Sequence, residues 1–128
     1  MTFVDTNVLM YAVGGPHPLR EEARRFFERA VTDRTPLVTS AEVLQELLHA
    51  YLPVERLTTL DAALTLAESV IPVVWAVEPE DVRFARSLVG RHPELGARDL
   101  LHLGCCKRRG VRRIQTFDRA LKAASRRP

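Results

Sequence analysis

The sequence predicts an α/β fold built on a mainly parallel sheet. Short β-rich runs alternate with segments of helical periodicity along the whole chain, the pattern of strand–helix–strand units. Two of those runs, one near each end, deliver an Asp at their C-terminal limit: Phe3-Val4 into Asp5, and Ile114-Gln115-Thr116-Phe117 into Asp118. With 128 residues, 46% of them apolar, and no repeat or linker, the chain fits a single domain over residues 1–128 with one core.

Phe3-Val4 starts the first strand, and Val8 to Val13 follow as a short apolar helix after the turn Thr6-Asn7. Gly14-Gly15-Pro16-His17-Pro18 breaks the chain into a loop. Leu19 to Val31 then gathers Leu19, Ala23, Phe26, Phe27, Ala30 and Val31 on one side, an amphipathic helix. Pro36-Leu37-Val38 is the second strand. Thr39-Ser40-Ala41-Glu42 reads as a capping box opening a helix through about Tyr51. After Pro53, Glu55 to Val70 is helical, and Ile71 to Val77 is a continuous β-rich run expected to be a buried strand holding Trp75 in the core. Pro79-Glu80-Asp81 opens a helix to about Gly90, and His92 to Gly96 is a loop. Arg98 to Arg109 is helical and stops at Gly110, a good C-terminal cap. Arg112 to Phe117 makes the last strand and Asp118 to Ser125 the last helix.

Several classes of protein are disfavoured. No apolar run approaches the roughly 20 residues that span a bilayer. The N-terminus has an acid in its first apolar stretch and no basic lead, unlike a secretory signal, so a cytoplasmic location is expected. Cys105 and Cys106 are helical neighbours that point to different faces, which predicts buried free thiols rather than a disulfide or a zinc site. The net charge is +3, and apart from Lys107 and Lys122 the cations are all Arg, with a run from Lys107 to Arg113 and a basic end at Arg126-Arg127. The Arg fork suits phosphate. Base composition and a solvated face account for the same usage, so charge alone decides nothing.

The six Asp residues have different settings. Asp33, Asp61 and Asp81 fall in a loop, on a helix and near a helix start, where solvated or capping acids belong. Asp5 and Asp118 end strands, and Asp99 lies in the first turn of an apolar helix. Singly, each of these three fits a cap or a helix-dipole role. Together they repeat one placement, at the sheet edge where α/β folds bind ligands. Glu42 and Glu46 stand one turn apart. Glu42 is occupied by the capping box with Thr39, whereas Glu46 lies among Val43, Leu44, Leu47 and Leu48 and is expected to face inward. A buried carboxylate must be paired, protonated or bound to metal, so Glu46 is the choice and Glu42 the reserve.

No rival nucleophile stands out. Ser40 and Ser69 lack a His at useful spacing, and His17, His49, His92 and His102 are scattered. His102 reads as a packed or paired helix histidine. A phosphotransfer hydrolase of the haloacid dehalogenase type would need a second Asp where Asn7 stands.

Four segments resemble the acidic motifs of the PIN domain: Val4-Asp5-Thr6-Asn7-Val8-Leu9, Ser40 to Leu47, Ala97 to Leu103, and Ile114 to Leu121. They occur in the right order and span nearly the whole chain, most like the VapC-type toxins of bacterial toxin–antitoxin pairs. The resemblance implies a three-layer α/β/α fold around a sheet of four or five strands. Asp5, Glu46, Asp99 and Asp118 would converge on Mg2+, with Mn2+ able to substitute, for endonuclease activity on RNA that leaves a 5′-phosphate. It further implies homodimerisation and an antitoxin partner that inserts a segment into the acidic cleft. The family often carries a further strand after the last helix, where this sequence reads Arg126-Arg127-Pro128, so the fifth strand stays open.

The residues can support that chemistry. Mg2+ takes oxygen ligands and keeps several waters, so a few carboxylates and a substrate phosphate suffice. Asp5 and Asp99 are assigned as principal ligands and Asp118 as direct or through water, with Glu46 a ligand or the acid that orients the attacking water. Crowded acids should leave at least one with a raised pKa in the absence of metal. Thr6, Asn7 and Thr116 would hold the carboxylates, or serve local turn chemistry, with Asn7 a helix N-cap. Arg98 and Arg119 would meet substrate phosphates or pair with the acids. The alternatives are a non-catalytic binding or scaffold domain and a PIN nuclease with a housekeeping role in RNA processing.

Overall fold

Four short strands, β1 (Thr2–Val4), β2 (Leu37–Ser40), β3 (Val73–Trp75) and β4 (Arg113–Gln115), form one sheet in the order β3-β2-β1-β4. Every pairing is parallel, with Phe3 level with Val38 on one side and Ile114 on the other. The computed structural model describes residues 1–128. Seven helices complete it: α1 (Thr6–Val13), α2 (Arg20–Asp33), α3 (Ala41–Tyr51), α4 (Leu57–Val70), α5 (Pro79–Ser87), α6 (Ala97–Arg108) and α7 (Arg119–Ser125). Helices α1 to α4 pack among themselves and α5 to α7 form a second group, giving the α/β/α layering. The interior strands are apolar because both faces are covered: Phe3, Val4 and Val38 are wholly buried and join Leu9, Val43, Leu47 and Leu103 in the core. No helix is long and apolar enough to cross a membrane.

The parallel register brings the C-terminal ends of β1 and β4 together. The ladder continues one residue past β1, where the Asp5 N–H donates to the Gln115 carbonyl at 3.0 Å. Asp5 is thereby fixed at the strand end before its side chain turns to cap α1.

Several expectations need correction. The run Ile71 to Val77 yields only a three-residue strand on the sheet edge, with Val73 and Val74 over a third exposed. An apolar run does not say whether a strand is central or at an edge. Trp75 accordingly stacks on Phe3 at 5.8 Å while remaining partly exposed. The capping box at Thr39 does not form, because the Thr39 hydroxyl donates to the Val4 carbonyl at 2.8 Å and Ser40 takes the N-cap position without a side-chain bond. Glu42 therefore has no capping role. Helix α4 starts at Leu57 rather than Glu55, which adopts a left-handed φ of 55°. The sheet has four strands, within the four or five expected, with β4 as an open edge.

Asp81 is not a solvated acid. It is fully buried, accepts the Glu78 N–H at 2.8 Å to close the first turn of α5, and receives Arg108 from the end of α6 and Arg109 from its C-cap at 2.6 and 2.7 Å. The two helices can approach because position 104 is glycine: a Cβ there would sit 3.2 Å from the Ala85 nitrogen and 3.3 Å from its Cα. Both cysteines of α6 are buried free thiols.

Candidate active site

At the C-terminal ends of β1 and β4 a cleft of about 540 Å³ is lined by Asp5, Glu46, Asp99 and Asp118, with Thr6, Asn7 and Arg98 beside them. Each acid arrives from a different element. Asp5 comes from the end of β1, Glu46 from the inward side of α3, Asp99 from the first turn of α6, and Asp118 from the N-cap of α7. Four residues distant in sequence share one wall. Arg98 lines the same cleft; Arg119 is exposed and does not, and Glu42 is absent from the lining.

Two of the acids are held at both oxygens. Asp5 accepts the Thr6 N–H on Oδ1 and the Thr116 hydroxyl on Oδ2, each at 2.7 Å. Glu46 accepts the Thr6 hydroxyl on Oε2 and His102 Nε2–H on Oε1, the latter at 2.8 Å. Thr116 also accepts the Asp118 N–H at 3.0 Å, so one hydroxyl ties the two strand-end acids to each other. Asn7 bridges the same turns: its amide donates to Thr116 Oγ1 at 3.3 Å and its carbonyl accepts the Phe117 N–H at 3.2 Å. The N-cap of α1 is Asp5, not Asn7. Asp118 does cap its helix, accepting the Leu121 N–H at 2.9 Å. For Asp5 and Asp118 the capping role and the place in the cleft are compatible, since the cap is what aims the carboxylate over the strand end. No protein donor reaches the Asp99 carboxylate.

The electrostatics follow from this wiring. Burial pushes the Asp5 carboxyl above its ordinary range, and neither the His102 charge nor the bonds from Thr116 and Thr6 bring it back. Burial also acts to raise Glu46, but the bond and charge of His102, with the Thr6 hydroxyl, hold it below its usual value. Burial together with the charges of Asp5 and Asp118 pushes Asp99 up to about 6. His102 is fully buried; burial opposes its protonation, yet the Glu46 bond and the Asp5 and Glu46 charges carry it above its ordinary value.

His102 is the residue that reasoning from sequence did not place. It is a paired helix histidine, as expected, but its partners are acids lining the cleft: Glu46, and Asp5, whose Oδ1 lies 3.6 Å from Nε2. Asp5, Glu46 and His102 form the tightest group, with one ligand atom from each lying within 4.8 Å of the others. The available signal was its spacing, three residues after Asp99 and hence on the same helix face.

Comparison with known proteins agrees with this arrangement. Residues 2–127 match the PIN domain family. Ribonuclease VapC23 of Mycobacterium tuberculosis is 60% identical over 126 residues, spanning 98% of this chain and 99% of that protein. Ribonuclease VapC13 of the same organism is 38% identical over 119 residues, 93% of this chain and 91% of its own. Among solved structures, M. tuberculosis VapC20, described as a sarcin-ricin loop cleaving toxin, superposes with a TM-score of 0.74 at 21% identity, covering 97% of this chain and 95% of that one.

Proposed function

The chain belongs to the PIN-domain family, alongside VapC-type ribonucleases, and on that premise we propose that it is an endoribonuclease dependent on Mg2+ or Mn2+, the toxin of a toxin–antitoxin pair. The observation that carries the reading is the crowding of Asp5, Glu46, Asp99 and Asp118 on one cleft, with Asp99 raised to about 6 and free of any protein donor. Acids left this poorly compensated fit a hard cation, which takes oxygen ligands. Asp5, Asp99 and Asp118 would hold the ion. Once bound, it would supply an activated water and stabilise the phosphoryl oxygens.

The protein's own residues do the positioning. Thr6 and Thr116 fix both Asp5 oxygens, leaving their outward lone pairs for the cation. Glu46, pinned by Thr6 and His102, remains an ionised acceptor that can orient the attacking water. His102 acts through Glu46 as a positioning residue. Arg98, on the cleft wall, would meet the scissile phosphate, and Arg119 would reach the RNA only outside the cleft. An RNA substrate of this kind would be met in the cytoplasm.

Cleavage of RNA by the purified protein with Mn2+, abolished in Asp5→Asn and by chelator, tests the reading. Full activity in either condition would overturn it.

Partners fit two apolar surfaces. A groove of about 560 Å³ between α1, α2 and α4, lined by Ala12, Val13, Phe27, Val31, Leu66 and Val70, suits an apolar antitoxin segment. Exposed Leu48, Leu52, Val54 and Leu57, around the α3–α4 connection, suit a second copy of the chain. Light scattering should give a dimer mass that Leu52→Asp reduces to the monomer; a monomeric parent would refute the dimer.

A further inference from the structure

A polyanion is poorly held by the cleft that would cut it. Four carboxylates line that cleft against one guanidinium, Arg98, so before a cation binds the local field repels phosphate. Affinity for RNA must come from elsewhere on the surface, and the opposite end of the sheet offers the means.

At the N-terminal ends of β1 and β4 a groove of about 530 Å³ runs between α2 and α7 beside the open β4 edge. Five cations line it: Arg29 from α2, Arg112 and Arg113 at the start of β4, Lys122 from α7, and Arg126 just beyond it. The lining also holds two acids, Glu22 and Asp33, and neither lies within ion-pair distance of any of the five. This sets the groove apart from the other Arg-rich stretches. Arg108 and Arg109 are taken up by Asp81, and Arg127 by Glu94. Those cations have structural partners; the groove cations have none.

We propose that this groove binds backbone phosphates of the RNA at a distance from the bond being cut. The inference rests on the endoribonuclease reading. From Arg113 to Asp118 the chain advances five residues, at most about 17 Å at strand rise. That is the span of about five nucleotides at roughly 3.4 Å of helix axis each. An RNA engaging both ends therefore extends beyond the scissile bond by up to about that length. Phosphate contacts orient and hold without reading sequence, and binding energy gained away from the reacting bond can be used at it.

The test uses full-length Asp5→Asn protein, which binds without cutting, and two probes: a fluorescein-labelled 30-nucleotide RNA hairpin and a dinucleotide, too short to span from the cleft to the groove. Replacing Arg113, Lys122 and Arg126 together with Gln should weaken the hairpin about 10- to 100-fold at 0.1 M salt. The log–log salt dependence should become shallower by about two to three, and the dinucleotide should change less than about twofold. Each single Gln variant should remove about one unit of slope, which decides the matter if the triple variant does not fold. Unchanged hairpin affinity and slope would overturn the proposal. So would competition by polyglutamate at the groove with RNA binding unaffected by the substitutions, which would assign the groove to an acidic polypeptide. Cleavage of total bacterial RNA by the parent protein with Mn2+ is read separately: its absence defeats the ribonuclease reading, whereas the binding data judge the groove.

Discussion

Asp5 and Asp81 are both closed off from water, 4% and 0% exposed, and both sit at the start of a helix, yet their charges are settled in opposite ways. Burial acts to raise both. For Asp81 the Arg109 and Arg108 forks and the Glu78 N–H more than offset it, and the carboxyl lies well below the usual range. For Asp5 the donors fall short, and its neighbours Asp99, Glu46 and Asp118 are further acids. A buried acid that the protein neutralises by itself belongs to the architecture. One left under-compensated among others marks where an outside cation can complete the balance. The same residue type at the same kind of position thus serves two ends, and its partners decide which.

Exchanging the two roles by mutation should break the comparison cleanly. Asp5→Asn should lower RNA cleavage by more than about a hundredfold, since even groups that merely hold a metal ligand are worth 10- to 100-fold. Without metal its melting temperature should equal or exceed the parent's, because an uncompensated charge is gone. Mn2+ at a hundred times its dissociation constant should stabilise the parent by about 2.7 kcal/mol and Asp5→Asn far less. Asp81→Ala should do the reverse. Leaving two partly exposed guanidinium groups without their acid should cost about 2–3 kcal/mol by denaturant titration, while kcat per folded molecule stays within about twofold. An Asp81→Ala protein that is stable but inactive would dissolve the distinction.

His102 sharpens it, because it is the one basic side chain buried inside the acid cluster. Its contact with Glu46 is made by Nε2, while Nδ1 is buried without a partner. Gln can place an amide donor near the Nε2 position and Asn near Nδ1. His102→Gln should therefore keep most of the activity, and His102→Asn should lose about 10- to 100-fold, mainly in kcat. If both lose equally, with equal losses of stability, His102 is a packing residue. Nitrogen couplings to bound Mn2+ in pulsed EPR that vanish in both variants would instead make it a ligand.

What could be read from sequence, and what could not, divides along chain distance. The acids at strand ends were legible because an apolar run followed by Asp has few meanings in an α/β chain, and the order of four motifs removed most of the rest. The inward direction of Glu46 came from its apolar neighbours. Spacing put His102 on the face of Asp99, but its pairing with Glu46, 56 residues away, was out of reach. The Thr39 capping box failed for the same reason: a carbonyl on the adjacent strand, Val4, outcompeted the local partner. Asp81 looked like a cap and is one, but the arginines that bury it lie 27 and 28 residues later. Periodicity marked β3 as apolar and could not mark it as the sheet edge. Local chemistry was readable; pairings made by the fold were not.

The smallest effect to look for is the pH dependence of the metal-free protein. Asp99 is raised to about 6 from an ordinary 3.8, so the folded state favours its protonated form. The stabilisation this gives is fully present below about 3.8 and is lost as pH rises through about 6. Asp81 has the opposite sign: its contribution is present above the ordinary carboxylate value and is lost only as pH falls below it, so it is silent in this window. Asp5 and His102 shift in the same direction as Asp99 and Glu46 in the other, which makes the difference between parent and Asp99→Asn the informative quantity. Between pH 7 and about 4.5 the parent should gain stability that Asp99→Asn does not, by less than about 1 kcal/mol once solvent screening of this half-buried group is allowed for. Mn2+ affinity should rise with pH over the same interval, because proton and metal compete for one carboxylate. Coincident pH curves for the two proteins would mean that Asp99 is relieved by solvent alone, and the strain assigned to the acid cluster would then rest on Asp5.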